Sequence, residues 1–194
     1  MAKIRSLCVY CGASSRVAAV HREAASGLGR LLAAAGIRLV FGGGRVGLMG
    51  VIADAALEAG GQVTGIIPEH LDRLEVGHRG AGELIVVGSM HERKQKMFEL
   101  ADGFAVLPGG LGTLDEAFEM VTWKQLRLHD KPIVLIDIAD YWKPLIVLID
   151  HMIKEGFTQP AHRGLFGTVT RIEDVIPALE AMPAPAFSAD VKWA

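Results

Sequence analysis

The stretch Phe104-Ala-Val-Leu-Pro-Gly-Gly-Leu-Gly-Thr-Leu-Asp-Glu116 sets the fold expected for the rest of the chain. Its apolar opening, residues 104–107, is typical of a buried strand, and Pro108 ends that strand because proline cannot donate to a sheet ladder. A glycine-rich turn then leads into a helix predicted over residues 114–128, with Thr113 as its N-cap residue. A strand, a turn with few side chains and a helix N-terminus together form a site for an anion, and phosphate is the expected guest.

The glycines of this turn and the glutamate behind it carry the functional interpretation. Three glycines, Gly109, Gly110 and Gly112, favour an anion site over an ordinary strand-to-helix turn, which needs only one or two. Glu116 has two interpretations. Its spacing from Thr113 matches the capping box T-x-x-E, in which the glutamate closes on the N-cap amide, and spacing alone favours this role. A position at the ligand crevice of an α/β sheet favours a catalytic role instead.

Composition and charge limit the class of protein. A chain of 194 residues with 51% hydrophobic content suits one domain with a sizeable core. The formal net charge of −2, with acids and bases interspersed, gives no electrostatic reason to expect nucleic acid or an anionic membrane as a partner. No apolar run approaches the roughly 20 residues of a membrane span, and the first residues carry no signal-peptide pattern. A cytoplasmic protein is expected.

The two cysteines, Cys8 and Cys11, form a C-x-x-C pattern. A redox pair of this kind normally lies at a helix N-terminus, where the dipole lowers the thiol pKa. Here both fall in a predicted strand, where positions three apart face opposite sides of the sheet. We interpret them as small buried apolar residues. Two cysteines cannot complete a zinc site, and the histidines occur singly, so no metal is expected.

Strands and helices alternate along the chain, separated by turns rich in glycine or proline. The predicted strands comprise residues 4–11, 37–41, 62–67, 83–87, 104–107, 132–137 and 166–170. The predicted helices comprise residues 18–35, a segment ending at 59, a segment ending at 101, and residues 114–128, 141–155 and 173–181. The alternation implies βαβ units. We therefore expect one doubly wound, Rossmann-like α/β domain over residues 1–182, with a mostly parallel sheet and helices on both faces, and a loose tail at 183–194.

Ligands of such sheets bind outside the carboxyl ends of the strands, near the point where the strand order reverses. With a Rossmann order that point lies between the first and fourth strands. The turns after strands one, two, four and five then share one rim; they comprise residues 12–15, 42–47, 89–93 and 108–116. Ser89-Met-His-Glu92 matches a second capping box. The polar stretch 69–82 is long for a connection, and we interpret it as a functional or mobile loop.

A rival signal lies in the turn after strand two. Gly42-x-Gly44-x-x-Gly47 formally matches the dinucleotide fingerprint, and Glu69 follows about 22 residues later, near the usual spacing of a ribose-binding acid. However, the fingerprint normally occupies the first strand-to-helix turn of its unit, which here is residues 11–15. An NAD-dependent enzyme is therefore kept as an alternative hypothesis.

Arg93 gains functional weight from its place in the chain. It lies one turn inside the helix after strand four, where a surface arginine is the ordinary outcome. The start of that helix faces the same rim as Glu116, and a guanidinium there would orient a carboxylate or hold a phosphate bidentately.

Three segments together resemble the Lonely Guy family of cytokinin-activating phosphoribohydrolases, long mislabelled as lysine decarboxylases. They are Gly43-Gly-Arg-Val-Gly-Leu-Met-Gly50, Ser89-Met-His-Glu-Arg-Lys94 and the stretch 108–116. The resemblance runs from strand one to about Ala181. It implies that Arg93 and Glu116 are the catalytic pair, that the glycine–threonine turn binds a 5′-phosphate, and that the protein is a homodimer with active sites near the subunit interface. The substrate-binding residues expected with it are Gly109, Gly110, Gly112, Thr113, Gly43, Gly44, Ser14, Met90, Lys94 and Glu75.

The reaction expected from this resemblance is hydrolysis of the N-glycosidic bond of a nucleoside 5′-monophosphate, with N6-modified adenosine monophosphates as the leading substrates. Cleavage develops oxocarbenium character at the ribose. Glu116 would stabilise that charge and activate water, and Arg93 would hold the carboxylate and substrate in register. No metal or redox cofactor is expected, and no residue set suggests pyridoxal phosphate. A non-catalytic nucleotide binder that uses the same crevice is a further alternative.

Overall fold

The computed structural model describes residues 3–74, 77–78, 80 and 82–183. Its seven strands are β1 (Ser6–Tyr10), β2 (Arg38–Phe41), β3 (Val63–Pro68), β4 (Glu83–Val87), β5 (Gly103–Val106), β6 (Ile133–Ile136) and β7 (Gly167–Val169). They form one sheet in the order β4-β3-β2-β1-β5-β6-β7, and every neighbouring pair is parallel. The expected Rossmann-like α/β fold is confirmed.

Helices cover both faces of this sheet. They are α1 (Ala19–Ala34), α2 (Leu48–Glu58), α3 (Glu69–Asp72), α4 (Met90–Leu100), α5 (Leu111–Gln125), α6 (Lys143–Lys154) and α7 (Val175–Ala181), with 3₁₀ turns at Ile138–Asp140, Pro160–Leu165 and Ile172–Asp174. Within the described residues, none of these helices combines the length and the apolar character that crossing a membrane requires.

The strand order reverses between β1 and β5, and the expected reversal between the first and fourth strands is wrong. Among the described residues of the connection from β3 to β4, the one-turn helix α3 is the only helix, and β4 lies beside β3 at the sheet edge. The chain crosses to the other side of β1 only afterwards, through α4. The turns that follow β1 and β5 are therefore neighbours, and the Gly12 N–H donates to the Pro108 carbonyl over 3.0 Å.

The core has one layer on each face of the sheet. One layer packs α1, α2 and α7 on the sheet, and the other packs α4, α5 and α6. Cys11 belongs to the first layer and Cys8 to the second, and both thiols are free and buried. Burial raises the pKa of each thiol far above its usual range. The interpretation of these cysteines as small buried residues on opposite faces is confirmed.

The start of α5 differs from the expected one. The helix begins at Leu111 with Gly110 as its N-cap residue, so the prediction of Thr113 as N-cap is wrong. Thr113 is instead buried inside the first turn, and it folds back so closely that a Cβ on Gly109 would lie 2.1 Å from its Oγ1. Side-chain packing thus draws Thr113 inward, and the helix starts three residues earlier than predicted.

The start of α4 does follow its sequence signature. Ser89 is the N-cap residue, and its Oγ accepts from the Glu92 N–H at 3.1 Å. The Glu92 carboxylate in turn accepts from the Gly88 N–H at 2.8 Å. These two bonds fix the start of α4 one turn before Arg93. They thereby also set the direction in which the helix runs from the sheet.

Candidate active site

Three turns pack together at the carboxyl ends of the strands. The turn after β1 contacts the turn after β5 through Gly12, and the carbonyl of the same Gly12 accepts from the Leu48 N–H at the start of α2. Gly47 has φ +67, and a Cβ there would lie 2.4 Å from the carbonyl carbon of Ala13. Glycine at position 47 is therefore required by a positive φ and by a close approach of two backbones.

Arg93 and Glu116 form a buried pair below these turns. The Arg93 Nη1 donates to Glu116 Oε1 over 2.5 Å, and the residues are 7% and 8% exposed. The rest of the guanidinium is held by backbone: Nε donates to the Ile66 carbonyl at 3.1 Å and Nη2 to the Gly42 carbonyl at 3.2 Å. Four elements, β2, β3, α4 and α5, thus fix one guanidinium and one carboxylate.

Gly42 is the residue that makes room for this arrangement. A Cβ at that position would lie 1.8 Å from the Arg93 Nη2 and 3.2 Å from the Met49 sulfur. Any side chain there would push the guanidinium off Glu116. Gly42 is the first glycine of the apparent dinucleotide fingerprint, and a glycine is required there because the Arg93 guanidinium occupies the space of a side chain.

The surroundings of Glu116 oppose its ionisation. Burial raises the pKa of this carboxyl, Arg93 beside it lowers it, and the net direction is upward from the ordinary value of 4.5. The capping interpretation of Glu116 is wrong, because the helix starts at Leu111 and the carboxylate contacts Arg93 on another helix. A buried carboxyl with a raised pKa, fixed by a guanidinium, has the properties of a general acid–base or charge-stabilising group.

The N-terminus of α5 opens onto the same place. The Leu114 N–H donates to the Gly110 carbonyl, and the amides before it have no partner within the helix. Within the part of the chain that the structure describes, no neighbouring atom lies within 4 Å of a Cβ built on Gly110 or Gly112, so the space in front of these amides is open. Free amides at the positive end of a 15-residue helix provide a site for an anion.

A cleft joins the helix terminus to the buried pair. Its volume is about 280 Å³, near the lower limit of the range of small-molecule sites. The lining residues are Cys11, Ala13, Met49, Met90, Arg93, Gly110, Gly112, Thr113, Asp115 and Glu116. An anion at the helix terminus and a reacting group beside Glu116 therefore fit in one continuous space.

Some of the expected substrate-binding residues line this cleft. Gly110, Gly112, Thr113 and Met90 do so together with Arg93 and Glu116. Gly109 and Ser14 lie in an adjoining pocket on the other side of the crevice, where the Tyr141 hydroxyl donates to the Gly109 carbonyl at 2.6 Å.

The other expected residues lie elsewhere. Gly43 and Gly44 are buried beneath the cleft, where the Gly43 carbonyl accepts from the His78 N–H and Gly44 forms a bridge with Gly77. The Lys94 ammonium is bound by two carboxylates of α5 and does not line the cleft. Glu75, the expected acid near the base, lies outside the described residues.

The sequence analysis assigned no role to two residues at the site. Asp115 lines the cleft beside Glu116, and its place within the motif was the available signal. Tyr141 reaches Gly109 from the turn after β6, and no local pattern indicates that contact.

The structure gives the dinucleotide alternative no support. Helix α2 begins at the fully buried Leu48, whose N–H is already bonded to Gly12. Glu69, the candidate ribose ligand, pairs instead with Arg73 on its own helix. The turn at residues 42–47 is thus covered by backbone at the point where a pyrophosphate would have to lie.

Comparison with known sequences identifies relatives over most of the chain. A family model described as "Possible lysine decarboxylase" matches residues 49–179. A cytokinin riboside 5′-monophosphate phosphoribohydrolase of Rhodococcoides fascians is 46% identical over 91% of this chain and 90% of its own length. An Arabidopsis thaliana protein of the same name is 40% identical over 92% of this chain and 78% of its own length.

Comparison with solved structures supports the fold. The molybdenum cofactor binding protein of Rippkaea orientalis superposes with a TM-score of 0.71 at 21% identity, covering 93% of this chain and 98% of that one. A Moco carrier protein from Chlamydomonas reinhardtii gives a TM-score of 0.69 at 21% identity, with the same coverage. At this identity the likeness concerns the fold alone.

The sequence relatives carry the family assignment. The family model spans more than half of the chain, and the relatives align with about nine tenths of it at 40% identity or more. The chain therefore belongs to the family of cytokinin riboside 5′-monophosphate phosphoribohydrolases, the Lonely Guy family that its three motifs resemble.

Proposed function

We propose that this chain hydrolyses the N-glycosidic bond of N6-modified adenosine 5′-monophosphates and releases the free base and ribose 5-phosphate. The names of its relatives support this reaction. The observation that carries it is the buried Glu116 carboxylate, held by Arg93 in a cleft that ends at the free amides of α5. A phosphate and a glycosidic bond are the two features of the substrate that such a cleft can hold together.

The 5′-phosphate binds at the N-terminus of α5 in this proposal. The open space at Gly110 and Gly112 lets the phosphate approach the amides, and Thr113 lines the cleft beside them. The positive end of the helix favours the dianion. Binding energy from this remote group positions the ribose above Glu116, where the reacting bond is cleaved.

The chemical step takes place at C1′ of the ribose. The bond from C1′ to the base nitrogen breaks, its electron pair leaves with the base, and positive charge develops on the sugar. The ionised Glu116 carboxylate stabilises this charge and accepts a proton from the water whose oxygen adds to C1′. The base takes up a proton, so that free base and ribose 5-phosphate are the products. Arg93 favours the ionised form of Glu116 against the effect of burial on its pKa and holds the carboxylate in place.

We further propose that the protein acts as a homodimer. Exposed apolar side chains support a subunit interface, since Val147 and Leu148 of α6 and Phe157 after it all face solvent. Leu111 at the mouth of the cleft is 86% exposed. A partner that covered it would lie beside the anion site, which agrees with an active site near the interface.

A panel of nucleotides tests the reaction. The protein is incubated with N6-isopentenyl-AMP, AMP, GMP and CMP, and free base and ribose 5-phosphate are measured by chromatography. We expect equal molar release of both products, fastest from an adenosine monophosphate. Binding of these nucleotides without release of base would show a nucleotide binder and would overturn the proposed reaction.

A further inference from the structure

Lys94 follows Arg93 on α4 and is not among the residues that line the cleft, although one of its two partners, Asp115, is. Its residue is 9% exposed, and its Nζ lies 3.1 Å from Asp115 Oδ2 and 3.2 Å from Glu119 Oε1. The two acids are four residues apart on α5, so they share one face of that helix. The ammonium group is therefore held between two carboxylates of α5, one of which, that of Asp115, lines the cleft.

We infer that Lys94 is a positioning residue, which ties α4 to α5 and thereby holds Arg93 against Glu116, and that it does not bind the phosphate. This inference rests on the proposed function. Arg93 and Lys94 are consecutive on α4, and each bonds to a carboxylate of α5. One cross-link carries the chemistry and the adjacent one fixes the spacing of the two helices.

The charges around the pair make this second cross-link necessary. Two cations on α4, Arg93 and Lys94, face three carboxylates on α5, those of Asp115, Glu116 and Glu119. Without Lys94, the Arg93 guanidinium would be the only nearby cation of α4 for all three acids. Among the described residues, Glu119 has one ion-pair partner, Lys94, and its buried Oε2 has none.

The same charges act on the proton of Glu116 in opposite directions. Lys94 lowers the pKa of Glu116, whereas Asp115 raises it. The remaining groups that face Glu116 are Arg93, which lowers its pKa, and three groups that burial keeps uncharged, namely Cys8 and Tyr10 of β1 and Cys11 directly after it. Neutralising Lys94 should therefore shift the acid limb of activity to higher pH, and neutralising Asp115 should shift it to lower pH.

The experiment compares Lys94→Gln, Asp115→Asn and Glu119→Gln with the wild type. Lys96→Gln is the matched control, because Lys96 lies on the same helix and pairs with Glu99 at the surface. Turnover of N6-isopentenyl-AMP is measured from pH 4 to 9, and the affinity for ribose 5-phosphate is measured by calorimetry. A positioning residue moved by a fraction of an ångström lowers kcat about 10- to 100-fold. We expect that loss in Lys94→Gln with an unchanged affinity for ribose 5-phosphate, while Lys96→Gln behaves as wild type.

The acid limb of the pH profile should shift in opposite directions in Lys94→Gln and Asp115→Asn. A purely structural role of Lys94 would not produce this pair of shifts. A Lys94→Gln variant that binds ribose 5-phosphate tenfold more weakly would show a phosphate ligand and overturn the inference. Asp115 is largely exposed, so Asp115→Asn should fold, and its pH shift can be measured even if Lys94→Gln fails to fold.

A double-mutant cycle keeps this inference separate from the proposed function. Lys94→Gln, Glu119→Gln and the double variant are unfolded with urea. We expect the folding equilibrium constant of the double variant to be about tenfold larger than the value obtained by multiplying the effects of the two single substitutions. Additive effects would overturn the inference even in an active enzyme. If the wild type released no base, the proposed function would be overturned. This cycle would still show whether Lys94 joins α4 to α5.

Discussion

The substitution Glu116→Gln separates the chemistry at this site from its architecture. Glutamine keeps the size of the side chain and still accepts a hydrogen bond from Arg93, but it carries no charge and cannot take a proton. A unit charge about 4 Å from the developing charge on the ribose contributes about 4 kcal/mol at the effective dielectric constant of protein sites. Removing it should lower kcat about a thousandfold.

The same substitution should change stability little. The bond from Arg93 Nη1 loses its charge-assisted part, which costs about 1 kcal/mol. Relief from burying a carboxylate offsets part of that cost. For a chain of 194 residues the expected fall in Tm is about 2–4 °C or less. Because burial raises the pKa of Glu116 above 4.5, wild-type stability declines as pH rises from 4.5 through the raised pKa, and the variant lacks this component.

The assay measures release of free base under single-turnover conditions, together with thermal unfolding at several pH values. Glu155→Gln on the solvent side of α6 is the control, and it should match the wild type in both measurements. A folded Glu116→Gln variant with activity within a factor of ten of the wild type would refute the catalytic role of the carboxylate.

Three further predictions address the anion site, the guanidinium and the assembly. Gly110→Val should fold normally, because no atom of the described residues lies within 4 Å of a Cβ built there. Calorimetry should nevertheless show at least tenfold weaker binding of AMP by this variant. Gly164→Val, which is also in open space among the described residues, should bind AMP as the wild type does. Arg93→Lys keeps the positive charge but cannot form the three bonds that the guanidinium donates in different directions, so kcat should fall about a hundredfold. Glu92→Ala, the control, should lose about 1 kcal/mol of stability because the helix cap is lost, and it should retain activity. Light scattering at micromolar concentration should give about twice the chain mass of 20.8 kDa, and a value near 20.8 kDa would exclude the stable homodimer.

The strands and the class of fold could be predicted from the sequence because they depend on local patterns. Five of the seven predicted strands are short apolar-rich runs followed directly by glycine or proline, and each of the seven overlaps an observed strand. The strand order could not be derived in this way. Alternation of strands and helices does not state on which side of β1 a later strand pairs, and the one-turn helix α3 is too short to leave a clear pattern.

The sequence indicated that Arg93 would orient the Glu116 carboxylate, but its spacing favoured a capping role for Glu116 and it did not indicate the contact of Arg93 with Gly42. T-x-x-E is identical whether the glutamate caps its own helix or reaches another one, and the deciding contact joins Glu116 to a residue 23 positions away. Gly42 resembled part of a nucleotide fingerprint because a glycine is required in both cases. The approach of Arg93 that requires it appears only when β2, α4 and α5 are assembled.

The most direct test of the proposed function compares one substrate with and without its phosphate. Release of base is measured for an N6-modified adenosine 5′-monophosphate and for the corresponding riboside, and the two values of kcat/KM are compared. Two or three charge-assisted bonds from the α5 terminus, each worth about 1.5–3 kcal/mol, predict a preference of several orders of magnitude for the monophosphate, part of it in kcat. Values of kcat/KM within a factor of ten of each other would contradict a phosphate anchored at the N-terminus of α5.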